Sequence, residues 1–414
     1  MKIAFIVPTF PSVSETFIAR QVTGLRALGH QVDIFAENAP PLSLAPADVS
    51  VRYINGRGKA SLPGVAILAA RLAMRAPAAL HFLGRDASKA YGGRRELLPR
   101  LGIAFAQGPY DIVHCHFGPI GLRYRFAAEL WNAPLVVSFY GHDCSRFPLR
   151  NPPGVYAPLF ASAARVIILS DEMGDRLLEL GCPPELLRKV PVSVDTSEWR
   201  FQPPVQRLAP GSARILTVAR LVEKKGIEYA LRAIASLAVA FPGLTYDVVG
   251  DGELRGSLER LARDLGLAHR VVFHGAADGL AIRQFMRDAD VFLLPSVTAS
   301  DGDREGTPTV LTEAAALGLP ILSTRHSGIP EMIEHERTGL LVGERDSVGL
   351  AAALRLLLGD AELRRKLAFA ARHDVELRYD SGVLNRRLAD LYGELVLNAP
   401  RYAARKSAPA VASR

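Results

Sequence analysis

The chain has 414 residues, of which 49% are hydrophobic and 22% charged. That length suits two or three domains at roughly 150 residues each, and the composition excludes a disordered or low-complexity chain. A formal net charge of +8 and a sequence pI near 9.5 suit polyanionic ligands, but no basic run interleaved with aromatic residues points to nucleic acid.

Lys2–Val7 reads as a buried strand ended by Pro8, too short for the apolar region of a secretory signal. Ser12, with Glu15 three residues on, reads as a capping box that opens a helix over Glu15–Leu28. Gly29 ends that helix, and Gln31–Phe35 is the next predicted strand. Ser61 to Gly84 comes nearest to a membrane span, but Arg71 and Arg75 interrupt it, so no apolar run reaches the ~20 residues required. The wider segment Ala60 to Arg100 carries Arg71, Arg75, Arg85, Lys89, Arg94, Arg95 and Arg100 among apolar residues. It reads either as a basic amphipathic helix on an anionic membrane surface, or as a helix packed on the sheet with a solvated basic face. Further strands are predicted at Ile112–His116, Leu135–Phe139 and Val166–Leu169. Strands alternating with helices predict a parallel sheet covered on both faces. Cys115, Cys144 and Cys182 are odd in number and fit no zinc spacing, so they read as reduced thiols that fill space.

Thr196 to Ser212, with Pro203, Pro204 and Pro210, reads as a linker, after which the pattern begins again. A strand at Arg214–Val218 and a helix over Ile227–Ala240 come first. Strands follow at Thr245–Val249, Val271–His274, Val291–Leu294, Pro320–Ser323 and Gly339–Val342. The chain therefore predicts two doubly wound α/β units. Asp360–Val396 has helical spacing and predicts two packing helices, and Ala399 to Arg414 a frayed tail.

The residues suited to chemistry cluster after predicted strands. Behind Val291–Leu294 comes a polar loop, Ser300 to Gly306, then Thr307-Pro308 and an Ala-rich helix. Thr307 is placed as N-cap and Pro308 as the first helical residue. Open N–H groups and the helix dipole there make an anion site, beyond a strand's carboxyl end where α/β sheets bind ligands. Glu305 falls at the mouth of this helix and Glu313 roughly 8 Å inside it. A diphosphate at the helix start would have one carboxylate toward a sugar and one toward a ribose; the alternative is two solvent-facing charges. Arg220 and Lys225, after Arg214–Val218, could both reach a diphosphate. Gly250-Asp251-Gly252 permits a tight turn and a close backbone approach, or is a plain surface turn. Asp301-Gly302-Asp303 has the form of a metal-binding Asp-x-Asp, but it also suits a turn, and nearby cations could neutralise phosphate without metal. His114 and His116 share one strand face and lack a third ligand. A hydrogen-bonding role for His116 near a sugar is the functional reading, and a backbone-bonded structural histidine the other.

Taken together, Glu305-Gly306-Thr307-Pro308 with Glu313, Arg220 with Lys224-Lys225-Gly226, Gly250-Asp251-Gly252, Ser327 to Glu331 and Thr338 to Val342 resemble glycosyltransferase family 4. The resemblance covers nearly the whole chain and is strongest from Arg214 to Val342. It implies the GT-B fold, with two Rossmann-like domains facing across a cleft. Residues 1–195 would bind acceptor, 196–212 link, 213–375 bind the nucleotide-sugar, 376–398 form a helix packing back on the first domain, and 399–414 form a flexible tail. It implies that Arg220 and Lys225 hold the diphosphate, Glu313 the ribose, and Glu305 the donor sugar, with Gly250, Gly306, Thr307 and Pro308 lining the donor site. It also implies retention of anomeric configuration, no metal and no cofactor beyond the co-substrate.

Phe10 to Phe17, His114 to Gly118 and Ser138 to Asp143 look like exopolysaccharide enzymes of the colanic acid type. Two departures stand out. Ser12 to Thr16 occupies the place of a Gly-Gly pair, and Tyr140 takes a histidine slot, with His142 two residues later. Glu305, His116 and His142 are the catalytic candidates. The implied reaction moves a sugar from a UDP- or GDP-sugar to a glycan or polyprenyl-diphosphate-linked glycan. The expected setting is cytoplasmic, peripheral on the inner face of the plasma membrane. The rivals are a nucleotide-sugar epimerase of the same architecture and a non-catalytic glycan-binding relative; the intact cations and glutamates argue against the latter.

Overall fold

The computed structural model describes residues 1–12, 15–39, 51–54, 67, 70–74, 76–84, 88–106, 108–204 and 211–398. Short apolar runs form two separate parallel sheets. The first comprises β1 (Lys2–Thr9), β2 (Gln31–Asn38), β3 (Val51–Tyr53), β4 (Ile112–His116), β5 (Leu135–Ser138), β6 (Arg165–Ile168) and β7 (Leu187–Lys189), in the order β3-β2-β1-β4-β5-β6-β7. The second comprises β8 (Ser212–Val218), β9 (Gly243–Val249), β10 (Val271–Gly275), β11 (Val291–Leu294), β12 (Ile321–Thr324) and β13 (Leu340–Val342), in the order β10-β9-β8-β11-β12-β13. Both follow the same doubly wound scheme, with the order reversing between β1 and β4 and between β8 and β11. Helices cover both faces, so the central strands can be apolar without alternation. Ile3 through Val7 and Val291 through Leu294 are accordingly wholly buried.

The final two helices tie the sheets together. Ala361–Arg378 and Ser381–Leu397 are each N-capped by an aspartate, Asp360 accepting from the Leu363 N–H and Asp380 from the Gly382 N–H. Val194 donates to the Tyr379 carbonyl and Ser381 donates back to Val194, both at 2.9 Å, so the two chain crossings lie side by side. Ser381–Leu397 then packs on the Thr16–Ala27 helix of the first unit, where Gly24 leaves room for Asn385. The predicted division at 375/376 falls inside the Ala361–Arg378 helix; the break comes at Tyr379–Asp380, where the aspartate cap starts a new helix. In the predicted linker, Ser212 already belongs to β8, and Trp199 is buried beneath Arg372, which donates to its carbonyl. Residues 205–210 of it, and the tail from 399, lie outside the described residues.

Two predicted caps do not form. The first helix starts at Thr16, with Glu15 at the N-cap and no side-chain cap bond, so Ser12 and Glu15 make no capping box. The later helix starts at Thr309, one residue beyond the predicted first helical position at Pro308. Pro308 is its N-cap and Thr307 lies outside it, because the preceding loop is held by tertiary bonds described below. Of Ala60 to Arg100, the described parts include Pro77–Leu83 and the Arg94–Arg100 helix, and Arg100 is buried, bonding the Tyr91 carbonyl. Arg75, Arg85 and the Arg95 side chain fall outside the described residues. Among the described residues no helix is long and apolar enough to cross a membrane.

Candidate active site

The strand ends at the two switch points face each other, and loops from both sheets meet there. In the second unit the loop after β8 carries Arg220, Lys224 and Lys225. Its shape depends on Gly250, whose φ is +136° and where a Cβ would fall 1.9 Å from the Ala219 carbonyl oxygen. Gly252 approaches the Leu221 carbonyl in the same way, and the Leu221 N–H bonds the Asp251 carbonyl at 2.9 Å. The Gly-Asp-Gly turn therefore cradles the Arg220 loop rather than sitting alone on the surface. Gly226, in the left-handed region at φ +62°, presses against the Pro295 carbonyl and turns the chain into the Ile227–Leu237 helix. This sets Lys225 at the base of the site.

Lys225 Nζ lies 2.6 Å from Glu305 Oε1, with side chains 12% and 8% exposed. Burial pushes the Glu305 carboxyl up, but Lys225, Lys224 and His326 together outweigh it and hold it down to about 2. Glu305 is thus a buried, ionised carboxylate, not a solvent-facing charge. Its peptide is fixed on both sides: its N–H donates to His326 Nε2 at 3.1 Å and its carbonyl accepts from Ser327 Oγ at 2.8 Å. Because Nε2 accepts, the His326 proton sits on Nδ1, 2.6 Å from Glu344. Lys224, also buried, bonds the Asp303 carboxylate and the Arg304 carbonyl. Asp301 is engaged by Arg146 and Arg150 from the first unit. Both carboxylates of Asp301-Gly302-Asp303 are therefore already matched by cations. Arg220 is exposed and makes no ion pair among the described residues.

The first unit closes over this loop backbone to backbone. A Cβ on Gly306 would lie 2.5 Å from the Tyr140 carbonyl oxygen, and one on Gly141 2.6 Å from the Gly306 nitrogen. Asp143 builds the Tyr140–Gly141 turn, its wholly buried carboxylate accepting from the N–H groups of Tyr140, Gly141 and Gly118 at 2.8, 2.9 and 3.0 Å. Tyr140 Oη bonds His116 Nδ1 at 2.7 Å, and its ring packs on Phe17. His116 is fully buried, and its Nε2 has no hydrogen-bond partner among the described residues. Burial, then His114, pushes its pKa well below the usual value, so the ring is neutral. His114 bonds Tyr392 through Nδ1 and Ser138 through Nε2, which leaves no nitrogen for a metal. His142 points to solvent.

Glu313 faces the first unit as well. Its Oε1 lies 2.6 Å from an Arg20 guanidinium nitrogen, and its side chain is 12% exposed. The buried Thr307 hydroxyl has no partner among the described residues. Pro308 is buried between that hydroxyl and the helix start. The three cysteines are free and buried.

Several of these residues were not singled out from sequence. Lys224 and Asp143 stood inside quoted motifs but were given no role, because burial does not show in a polar loop. His326 had one signal, its place just past the end of β12. Glu15 was read as a helix cap. In the structure it is a largely buried carboxyl with one partnerless oxygen, pushed up to about 7 by burial against the pull of Arg220.

Two family models match the chain: a glycosyl transferase 4-like domain over residues 14–193, and glycosyl transferases group 1 over residues 200–374. The amylovoran biosynthesis glycosyltransferase AmsK of Erwinia amylovora is 34% identical over 415 residues, covering 95% of this chain and 100% of that one. The putative colanic acid biosynthesis glycosyltransferase WcaL of Escherichia coli is 32% identical, covering 94% and 99%. Among solved structures, HepE of Anabaena, in complex with UDP and glucose, superimposes with a TM-score of 0.72 at 19% identity, covering 95% of this chain and all of that one. Sucrose-phosphate synthase of Thermosynechococcus elongatus also reaches 0.72, at 21% identity and with 96% and 99% covered. The chain belongs to the group 1 glycosyltransferases and has their two-sheet GT-B architecture.

Proposed function

We propose that this glycosyltransferase moves a hexose, with retention at the anomeric carbon, from a UDP- or GDP-sugar to a glycan or polyprenyl-diphosphate-linked glycan, in the assembly of an exopolysaccharide or another cell-surface polysaccharide. The observation that carries the donor reading is the buried Glu305–Lys225 pair beside an Arg220 that makes no ion pair among the described residues. A diphosphate between Arg220, Lys225 and the opening of the Thr309–Leu317 helix would meet two cations and a helix dipole. Those groups would stabilise the charge that builds on the diphosphate as its bond to the sugar breaks. Glu305, ionised and held rigidly, would accept hydrogen bonds from sugar hydroxyls. Glu313 would accept from the ribose. His116, neutral and with an open Nε2, would face the sugar from the acceptor side. The Tyr140–Gly141 loop pressed on Gly306 would exclude water.

The reading assigns no covalent nucleophile. It requires no metal, since Asp301 and Asp303 are matched by Arg146, Arg150 and Lys224. The polysaccharide setting follows the relatives named for amylovoran and colanic acid biosynthesis. A uridine donor accords with the fold neighbour solved with UDP and glucose. A lipid-linked acceptor would place the protein in the cytoplasm, peripheral on the inner face of the plasma membrane. Sedimentation with anionic liposomes at low and high salt tests that part, and absence of binding at low salt refutes it.

The donor reading is tested by calorimetry with UDP, GDP and their sugars, followed by product analysis. Glu313→Ala should weaken nucleotide binding, and Glu305→Ala should chiefly reduce turnover. Unaltered binding and activity in both variants would overturn the site, and an epimerised donor would move the enzyme to another class.

A further inference from the structure

Arg20 belongs to the Thr16–Ala27 helix of the acceptor-side unit, yet its guanidinium reaches the nucleotide side. One terminal nitrogen lies 2.6 Å from Glu313 Oε1, and the other donates to the Ser193 carbonyl at 3.0 Å. The Arg20 carbonyl accepts from Asn385 on the last helix at 3.3 Å. Two contacts therefore fix this side chain, which is 16% exposed, and a third fixes its backbone. Glu313 uses only Oε1 in this contact.

We propose that Arg20 is a positioning residue of the donor site, clamping one oxygen of Glu313 so that the other is presented to the ribose hydroxyls. The proposal rests on the reading of Glu313 as the ribose ligand. Its physical reason is that a carboxylate on an apolar helix face is driven toward its neutral form unless a cation answers it. Burial pushes Glu313 up and outweighs the opposing cations, of which Arg20 leads, ahead of Arg283. A forked guanidinium also sets direction, which a lone ammonium does not. Because the cation comes from the other unit, rotation of the two sheets apart would part the pair. Ribose recognition is thereby tied to the closed arrangement.

The test compares binding of a nucleoside diphosphate with that of its 2′,3′-dideoxy form, by calorimetry, using whichever of UDP and GDP the wild type binds. The wild type should prefer the ribonucleotide by about tenfold, the size of one charge-assisted hydrogen bond. Arg20→Gln should narrow the preference to about twofold, and Arg20→Lys should give an intermediate ratio. A purely structural role would weaken both ligands alike and leave the ratio intact. A wild-type ratio in Arg20→Gln overturns the proposal; if that variant does not fold, a wild-type ratio in Arg20→Lys does so. Glu313→Gln separates the two claims. If it abolishes the preference while Arg20→Gln keeps it, the ribose reading stands and the positioning role falls. If Glu313→Gln keeps the preference, the ribose reading itself falls.

Discussion

Replacing Glu331 by glutamine should loosen the helix at Asp171–Glu179, although that helix belongs to the other sheet. The Glu331 carboxylate accepts from the Asp171 N–H at 2.8 and 3.0 Å and from the Glu172 N–H at 3.2 Å, and pairs with Lys189 at 2.8 Å. It thus caps a helix in trans, adding to the Ser170 hydroxyl that caps it in cis. Bonds to a charged acceptor are worth ~1.5–3 kcal/mol when buried. Here Lys189 and Glu331 are 36% and 26% exposed, so the Lys189 pair itself is discounted to under ~1 kcal/mol by solvent. Glutamine keeps one carbonyl acceptor and loses the charge, which leaves a loss of ~1–2 kcal/mol in local opening, or roughly 5- to 30-fold. Amide hydrogen exchange reads this directly. Asp171 through Gly174 should exchange faster by that factor while β6 keeps its protection, and the difference should shrink in high salt. Unchanged protection at Asp171 and Glu172 would show that Glu331 does not cap the helix in solution, and a uniform loss across the first sheet would refute a local effect.

Glu15→Gln should stabilise the protein at pH 8 and leave it unchanged near pH 4.5. The folded carboxyl sits at about 7 against 4.5 unfolded, so the folded state binds more protons between those values and loses stability as pH rises through them. A rise of about 2–4 °C in melting temperature at pH 8 is expected, and equal shifts at both pH values would contradict it. Glu305 has the opposite sign: its contribution is present above pH 4.5 and is lost as pH falls toward 2, so Glu305→Gln should flatten acid unfolding in that window. Acid titrations that superimpose for wild type and variant would refute the buried ion. Gly250→Ala should cost ~3 kcal/mol or more, because a Cβ at φ +136° would overlap the Ala219 carbonyl. An unchanged melting temperature would exclude that contact. Gly306→Ala should push the Tyr140 loop away, lowering turnover and enlarging the scattering radius. A wild-type radius with full activity would refute the backbone contact.

The periodic features were legible in sequence because they are local. Ile112–His116 and Val291–Leu294 were read to the residue, since buried parallel strands are short apolar runs bounded by polar turns. The edge strands Val51–Tyr53 and Leu187–Lys189 were missed, because Arg52, Arg188 and Lys189 break any apolar run, whereas the equally short Leu340–Val342 is wholly apolar. The caps at Ser12 and Thr307 failed for a different reason. Thr307 follows a loop held against the opposing unit by the Gly306–Tyr140 approach, where tertiary contacts override local propensity, and at Ser12 the Glu15 N–H bonds the Ser12 carbonyl.

The Glu305–Glu313 segment shows where the division falls. Its place after a strand, its two acids and its proximity to Arg220 and Lys225 were determined by the sequence, because a doubly wound sheet must deliver such loops to one edge. Which cation answers which acid was decided only by the tertiary structure. Glu305 takes Lys225 from the neighbouring turn, and Glu313 takes Arg20 from across the cleft, 293 residues away in the chain. No local pattern encodes that pairing, since it depends on how the two sheets close and on which charges are stripped of water when they do.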